Sequence, residues 1–338
     1  MKRGLTLASF AAFPLRAQVE LITAADRLGY ETLWVAEAYS WDAFTQLGWI
    51  AGITERIKLA TGIVNIFSRT PALIAQSAAT LDRISSGRCV LGLGASGPRV
   101  VSGWHGVPFE RVPQRLRETV DIIRLVLARR RLAYEGKIFR LDGGLKLVDE
   151  PVRPSIPIYL ATLGPQALRV TGEIADGWLG TFFSPRRYSE VFAPYLRSGM
   201  AARDGGAGPL AICVTHLVAV GGDPRIDRDA LRPYLALYIG GMGPRRRNVY
   251  NQLFHRYGFV EEADRIQRLF LEGNRAEAAA AVTDEMIDAV AICGPAAECR
   301  ERLEELARAG VDEVALQLVV PQGGAGAMLG AVTGLAPG

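Results

Sequence analysis

At 338 residues, with 49% hydrophobic and 22% charged side chains, the chain can bury a large core, which excludes disorder as its main state. Lys and Arg total 39 against 35 Asp and Glu, a net charge of +4, and so mixed a surface gives no support to a nucleic-acid or membrane partner. Four scattered cysteines and three histidines argue against a disulfide framework and against a metal site, and no apolar run reaches the roughly 18 residues of a membrane span, so buried thiols in a reducing cytoplasm are expected.

Lys2-Arg3 followed by residues 4–15 admits a signal-peptide reading, but cleavage would delete a strand that the rest of the pattern requires. Residues 5–10 are therefore read as the first strand. A turn at Phe13-Pro14 follows, then a helix with Leu15, Val19, Ile22 and Ala25 on one face and Gly29 as its stop. Seven further apolar strands follow, at 32–36, 57–63, 88–94, 156–161, 177–182, 210–220 and 313–320. They lack polar alternation, as parallel strands covered on both faces do. Thr70-Pro71 supplies an N-cap and a proline at the first helical position, with Ile74, Ala78 and Leu81 as the buried stripe. Residues 95–155 hold a helix (Leu116, Val120, Ile123, Leu127) and a hairpin at 134–147. Residues 221–312 read as mainly helical, and Gly294-Pro295 opens a helix carrying Cys299, Leu303 and Leu306. The Gly- and Ala-rich stretch after Pro321 is expected to fray.

Eight strand–helix units predict one α/β domain over 1–338. Its expected form is a (β/α)8 TIM barrel with insertions after strands 4 and 7, at about 95–155 and 221–312. An open doubly wound sheet is the alternative, and the regular spacing argues against it.

In such barrels the chemistry gathers at the C-terminal strand ends. After the second strand stand Glu37, Tyr39, Trp41 and Asp42, which can supply a proton donor and a wall for a planar ligand, or simply an N-cap and packing. After the third, Thr61-Gly62-Ile63-Val64-Asn65 sets a glycine inside a buried strand, a mark of a bulge or of close ligand approach. After the fourth, Gly92-Leu93-Gly94-Ala95-Ser96-Gly97 bares backbone for a flat ligand but lacks the immediate helix of a dinucleotide fingerprint. After the fifth, Ala161-Thr162-Leu163-Gly164-Pro165-Gln166 opens a helix whose free N–H groups suit a phosphate. His216 reads as a satisfied core residue, and His105 and His255 as loop or helix-surface positions. Arg245-Arg246-Arg247 reads as a solvated face, with an acidic ligand tail or a phosphate as its other use.

Residues 30–37 (YETLWVAE), 60–71, 79–97 (ATLDRISSGRCVLGLGASG), 134–141 (YEGKIFRL), 157–177 (PIYLATLGPQALRVTGEIADG) and 292–313 together resemble the bacterial-luciferase-like superfamily. Within it they are most similar to the coenzyme F420-dependent reductases related to methylenetetrahydromethanopterin reductase. The resemblance implies a flavin or deazaflavin at the barrel mouth and a non-proline cis peptide joining Gly62 to Ile63 under the ring. It implies Asn65 at the ring edge, Gly94, Ala95 and Ser96 flanking it, and the phosphate at the segment Ala161, Thr162, Leu163, Gly164, Pro165 and Gln166. The implied activity is hydride transfer between reduced F420 and a small organic substrate. An FMN-dependent monooxygenase and a non-catalytic flavin-binding barrel are the alternatives, and a homodimer through the helix at 115–130 is expected.

The chain also departs from the family pattern. An acidic residue followed by His after the second strand is Glu37-Ala38 here, Ser96-Gly97 replaces a glutamate after the fourth, and Thr6 replaces an acidic residue in the first. Glu37, beside the cofactor, is then the expected proton carrier, with Trp41 and Ser96 as further catalytic candidates.

Overall fold

Eight parallel strands form the centre of the computed structural model, which describes residues 1–203, 208–245 and 247–338. They are β1 (Lys2–Thr6), β2 (Thr32–Val35), β3 (Lys58–Thr61), β4 (Cys89–Gly94), β5 (Ile158–Ala161), β6 (Gly177–Thr181), β7 (Ala211–Val220) and β8 (Glu313–Val319). Each pairs with the next, and β8 returns to β1 with Glu313 opposite Lys2, so the sheet closes into a barrel. Closure removes the free edges of an open sheet at the level where all eight strands pair. Every residue of β2 and β4 is buried, which is why neither alternates in sequence.

The lower barrel is filled. Trp34, Ala60, Val90, Leu179, Cys213 and Ala315 pack together inside it, separate from the larger core between sheet and helices. Trp34 donates its indole N–H to Glu313 at 3.1 Å and lies 5.7 Å from the Tyr159 ring. Gly92 is required here, because a Cβ on it would sit 2.0 Å from the Thr61 carbonyl oxygen. The Thr61 hydroxyl accepts the Gly92 N–H at 2.9 Å and donates to its carbonyl at 2.8 Å, so β3 and β4 are locked together at this level.

The first strand differs from expectation. It runs over Lys2–Thr6, and Leu7–Ser9 is a 3-10 turn. Leu7 and Phe10 are buried because the chain turns inward there, held by the Ser9 hydroxyl, which accepts the Leu318 N–H at 2.8 Å. The C-terminal stretch does not fray either. Ala325–Gly334 is a helix with Met328, Ala331 and Val332 buried, tied down by Tyr30 donating to the Val332 carbonyl at 2.7 Å and Arg3 to that of Ala336 at 2.9 Å. Its small side chains allow close packing, so a composition that looks loose serves as a close-fitting face.

Between β4 and β5 the helix Val112–Leu127 buries Leu116, Val120, Ile123 and Leu127 within this same chain. That apolar stripe is therefore not open to a second subunit. Glu118 on this helix is fully buried and accepts the N–H groups of Lys137 (2.7 Å) and Phe139 (2.9 Å), pinning the hairpin Tyr134–Glu135 with Arg140–Leu141. Between β7 and β8 run the helices Pro224–Ala236, Val249–Arg256, Val260–Leu271, Arg275–Ala280, Asp284–Val290 and Ala296–Arg308. The interval also holds an unforeseen strand, Ala291–Gly294, paired with Leu217–Val220 of β7 where β6 has parted from it.

His216 is buried in β7, but it is not satisfied as expected: its Nδ1 has no hydrogen-bond partner and faces a second, outer cavity. Burial, and then the charge of Arg302, push its pKa down to about 3, so the ring is neutral. His255 lies on the Val249 helix against Asp264 at 2.9 Å, and His105 in a loop. Arg245 and Arg247 are exposed, and Arg246 lies outside the described residues. All four cysteines are free and buried, and no helix among the described residues is long and apolar enough to cross a membrane.

Candidate active site

Above the filled lower barrel the mouth is open. A cavity of about 620 Å³ lies over the ends of β3, β4, β5 and β6, a volume suited to a cofactor-sized ligand. One wall comes from β3, where the Gly62–Ile63 peptide is cis, as the resemblance implies. The Ile63 side chain closes on Gly94 so tightly that a Cβ there would lie 3.0 Å from it, and Ile63 would have to give way to any larger residue. Beyond the cis bond Val64 and Asn65 pair with Leu93 and Gly94. Asn65 is 2% exposed, and its Oδ1 accepts the Phe67 N–H at 2.9 Å while its Nδ2 finds no partner. Its strand partner Gly94 lines the cavity, so this unused buried donor lies one strand behind the wall.

Ala95 and Ser96 continue the wall from β4, with Ser96 in the left-handed region at φ +58°. From β5 the whole run Ala161, Thr162, Leu163, Gly164, Pro165 and Gln166 lines the cavity. It is held from behind. The Thr162 hydroxyl bonds that of Thr171 at 2.7 Å, the Trp178 indole donates to the Thr162 carbonyl at 2.9 Å, and Arg256 donates to the Leu163 carbonyl at 2.8 Å. The helix Pro165–Ile174 then starts with no side chain on its first N–H groups, and a Cβ on Gly164 would meet nothing within 4 Å. Free N–H groups at the positive end of a helix, with a guanidinium behind them, make an anion site.

The other expected residues fall elsewhere. The two oxygens of Glu37 accept hydrogen bonds from the Arg69 guanidinium, one at 2.9 Å, and from the Ala43 N–H at 3.0 Å. Arg69 also pairs with Asp42, whose carboxylate caps the next helix through Thr45 at 2.6 Å. Glu37 thus acts as an acceptor at the rim. Trp41 is 75% exposed, and Glu37, Trp41, Gly62 and Asn65 do not line the cavity. Of the three catalytic candidates only Ser96 does.

Residues that local patterning missed complete the wall. Val112 and Leu116 come from the β4–β5 interval, Thr181 from the end of β6, and Tyr250 from the β7–β8 interval. Thr181 was within reach of the strand-end rule; the others have no local signal. Tyr250 stands in an aromatic group, its ring edge-on to Phe182 at 5.7 Å and to Tyr238 at 4.9 Å. None of the described lining residues carries a formal charge, so the cavity offers an apolar slot with one anion-binding end.

Sequence comparison agrees with this geometry, since the profile of the luciferase-like monooxygenase family matches residues 2–313. The chain belongs to that family. Among its relatives in the family is a Mycobacterium tuberculosis protein named as a provisional coenzyme F420-dependent oxidoreductase, 37% identical over 325 residues, covering 92% of this chain and 93% of the relative. The 5,10-methylenetetrahydromethanopterin reductase of Archaeoglobus fulgidus is 32% identical over 296 residues, 86% of each chain. The solved coenzyme F420-dependent tetrahydromethanopterin reductase of Methanopyrus kandleri superposes with a TM-score of 0.81 at 26% identity, covering 99% of this chain and 96% of that one. For the ring and phosphate that luciferase-like barrels are expected to hold, the residues present fit. The Ile63–Gly94 shelf is apolar and close-packed, Asn65, paired with Gly94, keeps an unused buried donor, and the Pro165 helix start is open.

Proposed function

We propose that this chain is a coenzyme F420-dependent oxidoreductase that passes hydride between the deazaflavin and a small organic substrate. The observation that carries the reading is the uncapped Pro165 helix start on the wall of a cavity also lined by Ile63 and Gly94. The relative named for F420, at 37% identity, and the solved F420-dependent reductase, at 26%, favour the deazaflavin over FMN. When bound, the cofactor supplies a two-electron hydride at a ring carbon.

The protein supplies position and a dry site. Ile63, Gly94 and Ser96 would support the ring, with Asn65 paired behind Gly94. Gly164, Gln166 and the helix behind them hold the phosphate, with Arg256 adding charge through Leu163. Glu37 orders Arg69 and, through it, the rim at Asp42. The lower barrel, packed shut by Trp34 and Tyr159, keeps water from the underside of the ring.

The test is a fluorescence titration of the purified protein with F420 and, separately, with FMN. F420 binding at about micromolar strength or tighter, with FMN weaker by about tenfold or more, is expected. The reverse order overturns the assignment in favour of an FMN-dependent monooxygenase.

A further inference from the structure

We propose that the substrate is an uncharged ketone or enone, and that Tyr250 is a catalytic residue whose hydroxyl binds the carbonyl oxygen and protonates it as hydride arrives. The inference rests on the deazaflavin reading above.

The substrate class follows from the wall. The anion site at the Pro165 helix is taken by the cofactor's phosphate, and none of the described lining side chains carries a charge. A phosphorylated or carboxylated substrate would bury its charge unpaired, at a cost of several kcal/mol. A neutral carbonyl compound meets apolar walls and needs one donor.

The donor follows by inspecting each polar group in the wall. The Thr162 hydroxyl is spent on Thr171, and Gln166 is exposed at the phosphate end. Ser96 and Thr181 carry aliphatic hydroxyls, far weaker acids than a phenol. Glu37 is committed to Arg69 and Ala43 and lies outside the cavity. Tyr250 remains, its hydroxyl without a hydrogen-bond partner among the described residues.

Tyr250 is also well placed. Asn248 accepts its N–H at 3.0 Å while donating to the carbonyls of Tyr238 (2.8 Å) and Ile239 (2.9 Å), so the two tyrosines are fixed to one another through the backbone. Behind Tyr238 stands Tyr234, bonded to Gln317 at 3.3 Å. Burial, with Tyr238 beside it, holds the Tyr250 phenol above its usual range, so it stays protonated and donating at neutral pH.

The step balances simply. Hydride from the reduced deazaflavin forms a C–H bond at the carbonyl carbon, or at the β-carbon of an enone, and the displaced π pair moves to oxygen. That oxygen takes the Tyr250 proton, and the phenolate recovers one from water at the mouth.

The experiment compares the wild type with Tyr250→Phe, which removes only an unbonded hydroxyl and leaves the ring packing intact. With oxidised F420 bound, the infrared carbonyl stretch of cyclohexanone is expected to shift to lower frequency in the wild type and to return in the variant. With reduced F420, cyclohexanone or 2-cyclohexen-1-one is expected to be reduced with a kcat about 100-fold lower in the variant, at unchanged F420 affinity. Equal stretches and equal kcat overturn the role of Tyr250. F420 binding without reduction of either probe, or reduction only of a charged carbonyl compound such as pyruvate, overturns the substrate class. Failure to bind F420 at all overturns the deazaflavin reading first, and this one with it.

Discussion

The helices after β3 and β5 both begin with a proline at the first helical position, yet only one of them is closed. At Pro71 the Thr70 hydroxyl accepts the Leu73 N–H at 3.3 Å, as an N-cap should. At Pro165 the cap position is Gly164, no side chain reaches the first turn, and the cavity lies in front of it. The two starts serve different partners. One satisfies its donors from within the chain and is part of the scaffold; the other keeps them for a ligand. The same contrast separates two glycines of the barrel. Gly92 has no room for a Cβ, whereas Gly164 has open space around it and an ordinary φ of −80°. Packing explains the first glycine and leaves the second to function.

Substitutions can sharpen that contrast. The largest expected effect is at the scaffold glycine: Gly92→Ala drives a methyl into the Thr61 carbonyl and is expected to cost about 4 kcal/mol or more, read by denaturant unfolding. A smaller effect concerns His216, an unpaired group of the scaffold with no place in the cofactor cavity. Its folded pKa of about 3 lies below the 6.5 of the free side chain. Above pH 6.5 both states are neutral; as pH falls below it, the unfolded chain takes a proton that the folded one refuses. Stability should then fall by about 1.4 kcal/mol per pH unit toward pH 3, and His216→Leu should flatten that slope. Unfolding midpoints measured at successive acid pH values would show a wild-type slope no steeper than the variant's if the ring were already charged. The smallest effect is at the closed helix start. Thr70→Ala should lose about 1 kcal/mol of stability by thermal unfolding and leave cofactor affinity unchanged. A change in affinity there would break the division between the two helix starts.

The division also explains what the sequence disclosed. Strands β2 to β8 are legible because burial on both faces removes alternation and helix punctuation separates them. The end of the first strand and the C-terminal helix are not legible because burial at Leu7, Phe10, Met328 and Val332 comes from turning or docking, which leaves no local period. At the mouth, the residues of β3, β4 and β5 were legible as strand-end glycines, and the cis bond through family resemblance. The residue types around Glu37 point to a proton carrier, whereas its hydrogen bond to Arg69, 32 residues away, leaves no local signal. Tyr250, Val112 and Leu116 were invisible because they reach the cavity from the long intervals between strands. Their placement depends on tertiary contacts such as Asn248 with Tyr238.

The most direct test of the central claim is the substitution Gly164→Asp, measured for both F420 affinity and thermal stability. A Cβ at this position meets nothing within 4 Å and the aspartate supplies the missing cap, so the folded state should be as stable as before or more so. Its carboxylate then occupies the site of the phosphate, and F420 affinity should fall on the order of 10- to 100-fold. Undiminished affinity in a stably folded Gly164→Asp protein would contradict the account.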